Sequence, residues 1–297
     1  MIAQHWRECA HSEAVQCIER VLAEDGAESD VTTASFPPGV AIKAAVVARR
    51  SGTCAALTLV DLFAHRDPRL AVSRAHGACD GGEVLAGATL ATLCGPREAI
   101  LSIERTLLNL LGLAMGCATL TAAFVDEVAD TRAKICDTRK TIPGLRWLQK
   151  HAVLCGGGHL HRRGLDDAML VKDNHVAGIP LDAFARSVEE VARTARARHP
   201  SLAFVCVECD SMEQFVALLA LPRGAIDIAL LDNFAVGELE DAVKRRDAAA
   251  SSMLLEASGG VSLATVRAIA RAGVDRISVG AITHSAPWHD VALDIDF

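Results

Sequence analysis

Residues 203–260 read AFVCVECDSMEQFVALLALPRGAIDIALLDNFAVGELEDAVKRRDAAASSMLLEASGG, and the rhythm of this stretch decides the fold. Three near-continuous apolar runs, AFVCV, IDIALL and SMLLEA, each end in a polar tip: Glu208-Cys209-Asp210, Asp232-Asn233 and Ser258-Gly259-Gly260. Between them, SMEQFVALLA and VGELEDAVKRR carry helical spacing. Apolar runs without alternation belong to strands covered on both faces, as in a parallel sheet flanked by helices. Outward from this stretch the pattern continues. AKICD ends in Thr138-Arg139-Lys140, AMLV ends in Lys172-Asp173-Asn174-His175, and DRISV ends in Gly280. The helical segments PGLRWLQKHAV, LDAFARSVEEVARTARAR and VSLATVRAIARA complete the alternation. Strand ends of this kind converge on the ligand mouth of a (β/α) barrel, whose last strands often grip a phosphate through Gly-rich loops. SGG and VGA fit that use, with backbone N–H groups facing phosphate oxygens. A full barrel has eight strands; either this one is incomplete, or AVLCGGG and FVDEVAD supply the others.

Charge concentrates in the same half. Residues 132–172 hold nine Lys/Arg against three acids, a local charge of +6 in a chain of net charge −7. A basic island in an acidic protein is the composition of an anion site, and is too local for a nucleic-acid surface. Arg139, Lys140, Arg162 and Lys172 fall at strand ends and are assigned to the mouth. Arg146 and Lys150, four residues apart, are read as a solvated helix face.

The first hundred residues describe an α+β unit of ordinary domain size. Residues 12–25 and 53–65 have helical spacing, and VAIKAAVVARR, LAVSRAH, EVLAG and ATLATL read as strands. Pro96 opens a long helix with Ile100, Ile103, Leu107 and Leu110 as its core stripe. Arg105, Asn109, Gly112 and Gly116 form a second, small-and-polar line suited to a ligand or a partner subunit. The expected boundaries are residues 1–112 and 113–297, with the last residues returning to the N-terminal unit. At 51% hydrophobic and 23% charged, the chain has the balance of an ordinary globule. No apolar run approaches the roughly 20 residues of a membrane span, and no signal peptide is visible, so a cytoplasmic location is expected. The ten Cys are scattered singly and read as reduced thiols. Cys206 and Cys209 resemble half a zinc hook, but in a strand they face opposite sides.

The mouth thus gathers Arg139, Lys140, His161, Arg162 and Lys172 with two acids, Glu208 and Asp232. So many cations imply a polyanionic substrate, and the acids imply a shared divalent metal or a stabilised cationic transition state. No nucleophile–base pair, P-loop or dinucleotide fingerprint is present.

ERTLLN (104–109), DTRKTIPGLR (137–146), GGGHLHRRGL (156–165), VKDNH (171–175), LLDNF (230–234), LEASGGV (255–261) and SVGAITHSA (278–286) resemble the motifs of the quinolinate phosphoribosyltransferase family. The resemblance is collinear from about residue 15 to residue 295. It implies an N-terminal α+β open sandwich followed by an incomplete (β/α) barrel. It also implies a homodimer, sometimes assembled further, in which Arg105 enters the neighbouring subunit's site. Matching positions put Arg105, Thr138, Arg139, Lys140, His161, Arg162 and Lys172 around the quinolinate carboxylates and the pyrophosphate. Glu208 and Asp232 fall near the ribose and Mg²⁺, and Lys140, Glu208 and Asp232 are the expected catalytic groups. Ser258, Gly259, Gly260, Ser278, Val279 and Gly280 fall near the 5-phosphate, with His284 beside that loop. The implied reaction joins quinolinate to phosphoribosyl pyrophosphate with loss of CO₂, giving nicotinate mononucleotide for NAD synthesis, without nucleic-acid or membrane partners. Two positions depart from the family pattern: Leu160 stands where a polar residue is usual, and Cys206 where an acid is common. Alternatives are a relative acting on another pyridine or pyrimidine acid, a metal hydrolase built on His159, His161, Lys172 and His175, or a non-catalytic metabolite binder.

Overall fold

The structure, a computed structural model, describes residues 10–296. The chain forms two compact units, one of residues 10–122, 141–158 and 282–296, the other of Ala123–Lys140 and His159–Ala281. The helix Arg97–Glu127 runs across the expected boundary at 112/113.

Among the described residues twelve strands occur in chain order: β1 Ala41–Ala48, β2 Gly52–Thr53, β3 Ala71–Arg74, β4 Glu83–Val84, β5 Thr89–Pro96, β6 Lys134–Cys136, β7 Met169–Val171, β8 Val205–Cys209, β9 Ile228–Asp232, β10 Leu254–Ser258, β11 Arg276–Ser278 and β12 Val291–Asp296. In the first unit β12, β1, β5 and β3 form an antiparallel sheet in that order. Ala44 and Val46 of β1, and Leu90 and Leu93 of β5, enter a core shared with the helix His11–Asp25, which buries Ala14, Cys17, Ile18 and Leu22. That helix ends at Gly26, whose φ of 66° sits in the left-handed region.

Residues 53–65 are not one helix. Gly52–Thr53 pairs with β4, and Ala56 has φ 59°, which a right-handed helix cannot contain. Helix begins at Thr58. Asp80 meets its start, accepting the Leu57 N–H at 2.8 Å, and its other oxygen lies 2.8 Å from His151 Nε2.

The helix Arg97–Glu127 buries the expected stripe of Ile100, Ile103, Leu107 and Leu110. It is long and apolar enough to cross a membrane, but 67% of its most apolar window is buried in the protein, where a core helix places it. Gly112 and Gly116 do not stay open. A Cβ on Gly116 would lie 2.1 Å from the Pro287 carbonyl, and the His289 N–H donates to the Gly112 carbonyl at 2.9 Å. The C-terminal segment therefore covers that part of the helix face. Lys150 also departs from expectation. It is 2% exposed, because the helix Arg146–Cys155 is enclosed from Trp147 to its end. Arg146 is half-buried, its Nε donating to Thr141 Oγ1 at 3.1 Å.

The second unit is a six-stranded, all-parallel sheet in the order β6-β11-β10-β9-β8-β7. Each strand is followed by helix, as the sequence rhythm requires. The barrel is incomplete. Residues 152–155 are helical, as are residues 124–127, so neither AVLCGGG nor FVDEVAD adds a strand. His159 alone extends the β6 edge, forming a parallel bridge with Cys136. Both faces of the strands are buried, and β8 is buried at every position. This is why its sequence shows no alternation.

Candidate active site

Side chains alternate along a strand, so residues paired across parallel strands share a face. Cys206 pairs with Leu170 and Ile228, Glu208 with Leu230, Glu256 with Leu230 and Arg276, Asp232 with Ser258, and Ser278 with Cys136. One face consequently carries an apolar floor of Cys206, Ile228 and Leu230, packed by Leu170 and Phe204. The same face carries Glu208, Glu256 and Arg276, and at the C-terminal strand ends Asp232 and Ser258. Lys172, two residues past Leu170, falls on this face too, and its ammonium forms an ion pair with Glu208. Glu208 is 7% exposed and Lys172 45%, so the acid is enclosed and the cation reaches solvent. The Lys172 backbone is anchored by its N–H donating to His175 Nδ1 at 2.9 Å.

Asp137, absent from the expected ligand set, is fully buried and accepts the His161 N–H at 2.7 Å. This bond, with the Asp137 N–H donating to the His159 carbonyl, ties the HLHR turn to the end of β6. The His161 ring meets Phe204 edge-on at 5.2 Å. Arg162 is held below the ordinary arginine value by burial and by the charge of Arg139, while remaining protonated because that value is so high. Two guanidinium groups thus repel each other at the sheet mouth. His159 is pushed down by burial and by the charges of Lys134 and Arg276. Thr138 Oγ1 accepts the Lys140 N–H at 3.0 Å, shaping the loop on which Lys140 is exposed.

The tips of β9 and β10 interlock. Asn233, with φ 58°, donates its N–H to the Ser258 carbonyl at 2.9 Å and its side-chain amide to Asp232 at 2.6 Å. A Cβ on Gly259, with φ 97°, would lie 2.1 Å from Asn233 Oδ1, so only glycine fits there. Gly260 follows with φ 58°. The Val279 N–H is already donated to the Cys136 carbonyl at 2.9 Å, and the buried Ser278 hydroxyl bonds to Glu256. Both are committed inward, and Gly280 follows them in the chain. Arg105 and His284 are exposed residues of the first unit; His284 Nδ1 bonds Ser285 Oγ at 2.6 Å.

Glu256 was the least legible member. It is 0% exposed, with Arg276 Nε at 2.6 Å, the Ser278 hydroxyl bonded, and His161 Nε2 at 3.4 Å. Its parity with Ser258, two residues later, was the available signal. Among the described residues the one cluster of three potential metal ligands is Asp80, His151 and Cys155 in the first unit; His159, His161 and His175 do not gather into such a cluster.

Family models agree with this geometry along the chain. One described as the quinolinate phosphoribosyl transferase C-terminal domain matches residues 117–294, and the N-terminal domain of the same family matches residues 30–115. The chain belongs to the quinolinate phosphoribosyl transferase family. It is 42% identical over 294 residues to a nicotinate-nucleotide pyrophosphorylase (carboxylating) of Mycobacterium leprae, covering 97% of this chain and 99% of that one. A probable nicotinate-nucleotide pyrophosphorylase (carboxylating) of Bacillus subtilis is 34% identical, over 96% and 94% of the two chains. The solved nicotinate-nucleotide pyrophosphorylase of Francisella tularensis superposes with a TM-score of 0.85 at 31% identity, over 96% of both chains. Within the quinolinate phosphoribosyl transferase framework, Cys206 is a floor residue. Its thiol is pushed well above the ordinary value by burial and then by the charge of Glu256, so it is a neutral, apolar contact.

Proposed function

We propose that this protein transfers the phosphoribosyl group of phosphoribosyl pyrophosphate to quinolinate with decarboxylation, giving nicotinate mononucleotide, pyrophosphate and CO₂ for NAD synthesis. The observation that carries the reading is the row at the C-terminal strand ends, where the half-exposed Lys172 meets the enclosed Glu208 on the face that also holds Asp232 and Ser258, because a cation and hard carboxylates at one mouth suit a phosphorylated, anionic substrate. Arg139 and Arg162 bind the two carboxylates of quinolinate, and Lys172 adds a point charge. The ring nitrogen attacks the anomeric carbon as pyrophosphate leaves, and Glu208 and Asp232 stabilise the cationic character of the ribose. The nitrogen, now bonded to ribose and positive, stabilises the electron pair that stays on the adjacent ring carbon when its carboxylate departs as CO₂. The carbon then takes a proton, for which we assign Lys140.

Glu208 and Asp232 supply two hard carboxylates on neighbouring strands, which suits a Mg²⁺ that keeps waters and substrate phosphates in its shell. When bound, Mg²⁺ would neutralise charge on the departing pyrophosphate. Glycine-rich turns at Ser258-Gly259-Gly260 and at Gly280 serve the 5-phosphate. The working form is a cytoplasmic homodimer, or a higher assembly of it, with Arg105 contributed to the partner's site.

Incubation with quinolinate, phosphoribosyl pyrophosphate and Mg²⁺ should release nicotinate mononucleotide and CO₂ in equal amounts; product from nicotinate alone would overturn the substrate assignment. Mixing Arg105→Ala with Arg139→Ala subunits should restore turnover that each lacks by itself, and no recovery in exchanged mixtures would refute the shared site.

A further inference from the structure

Two buried carboxylates grip His161 from different sides. Asp137 Oδ1 accepts its backbone N–H at 2.7 Å, and Glu256 Oε1 lies 3.4 Å from its Nε2. On the ring's other edge, Nδ1 accepts the Arg162 backbone N–H at 2.8 Å. An amide N–H can only donate, so Nδ1 presents a lone pair and the neutral ring carries its proton on Nε2. That proton faces a carboxylate, which can only accept. Both edges of the ring therefore select the same tautomer. The Glu256 contact is longer than a good hydrogen bond and is not aligned as one, so its contribution is electrostatic. Nε2 has no exposed surface and Nδ1 is occupied, which leaves neither nitrogen open to a ligand.

Glu256 does more than face this ring. Arg276 donates to it at 2.6 Å, balancing its charge, and the Ser278 hydroxyl fastens it to the end of β11. One carboxylate thus links the His161–Arg162 turn to the β11 tip. We propose that Glu256 is a positioning residue for the phosphoribosyl transfer described above. It holds His161 in the Nε2-protonated form, so that the ring fixes the Arg162 backbone and aims its guanidinium, while His161 touches no substrate. The inference rests on that functional reading for its effect on turnover, and on geometry alone for the tautomer.

The test uses the full chain labelled with ¹⁵N-histidine, with the His161 signal assigned from His161→Asn. Long-range ¹H–¹⁵N correlation should show Nδ1 bare and Nε2 protonated, unchanged on saturation with quinolinate. A ring protonated on Nδ1, or ring nitrogens that shift with quinolinate, would overturn the proposal. In kinetics, Glu256→Gln should lower kcat/KM for quinolinate between about tenfold and a hundredfold while the KM for phosphoribosyl pyrophosphate stays within about twofold. Should loss of the counter-charge to Arg276 prevent folding, Glu256→Gln with Arg276→Gln keeps the buried charge balanced and takes the same measurement. His161→Asn keeps an acceptor near the position of Nδ1 and should retain turnover that His161→Phe loses. Rescue by His161→Gln instead, or wild-type kinetics in a folded Glu256→Gln enzyme, would refute the assignment. The spectrum needs no turnover, so a wild-type protein that shows this tautomer and makes no product counts against the enzymatic reading separately.

Discussion

Lys172 and Glu208 make an ion pair with unequal ends, and the inequality predicts an asymmetric response to mutation. Glu208 is 7% exposed and Lys172 45%. Lys172→Met strands a carboxylate that water reaches poorly. Breaking a fully buried pair costs about 3–5 kcal/mol, and the half-exposed partner reduces this to about 1–2 kcal/mol. Glu208→Gln leaves an ammonium that can turn into solvent, so the loss should stay below about 1 kcal/mol. The double variant should resemble Glu208→Gln alone, giving a coupling of about 1–2 kcal/mol in the cycle, the cost of Lys172→Met itself. For a chain of this size, thermal midpoints should therefore drop by about 2–8 °C for Lys172→Met and by less for the other two. Turnover should follow a different order. Glu208→Gln should lose on the order of a hundredfold in kcat, since the proposed reaction sets that charge against the ribose. Thermal melts and steady-state rates on the same preparations separate the two orders. Equal destabilisation by both single variants would refute the burial argument, and near-normal kcat in Glu208→Gln would refute the role of that acid.

Three further outcomes follow from the geometry. Gly259→Ala places a Cβ within 2.9 Å of the Asn233 backbone nitrogen at a φ of 97°, and should cost about 1–3 kcal/mol and raise the KM for phosphoribosyl pyrophosphate. Arg139→Ala should abolish turnover in the product assay while shifting stability by no more than about 1 kcal/mol, because the side chain is only half-buried. His159 and His289 are both pushed below the ordinary histidine value, chiefly by burial. The unfolded chain then binds protons first as pH falls below about 6.5, so stability present at neutral pH should decline through that region. Melts of His159→Gln and His289→Asn across this range should be flatter than those of wild type.

Much of the second unit could be read from residue order because its local and long-range requirements agree. The helix at Leu181–Arg198 has the bounds its pattern implies, since Phe184, Val188 and Ala192 supply one buried stripe and the opposite face is charged. The polar tips at Lys172, Glu208, Asp232 and Ser258 were equally visible, as each interrupts an apolar run. Lys150 was not readable. Its i,i+4 spacing with Arg146 looks like a solvated face, and only the tertiary enclosure of Arg146–Cys155 buries it. The break at Ala56 was hidden for a similar reason, because alanine gives no sign of a positive φ. Ser278 and Val279 sit in a recognisable motif, yet their polar groups are consumed by Glu256 and Cys136, pairings that depend on neighbouring strands.

Depth along the strand separates charges that hold the sheet together from charges offered to a ligand. Glu208 and Glu256 both pair with Leu230 and so lie at one level, but Glu256 is closed off by Arg276 whereas Glu208 meets a cation that reaches solvent. Asp232 and Ser258 lie two residues nearer the mouth. Cys206, by contrast, pairs with Ile228, one level below Glu208, and belongs to the apolar floor. The acid expected there by family resemblance would face the floor and the neighbourhood of Arg276, whose Nη2 is buried without a hydrogen-bond partner among the described residues. Replacing that acid by a neutral thiol therefore removes a charge from beneath the site while leaving the ligand-facing row of Lys172, Glu208 and Asp232 complete. For this reason the Cys206 departure bears on how Arg276 and Glu256 are balanced.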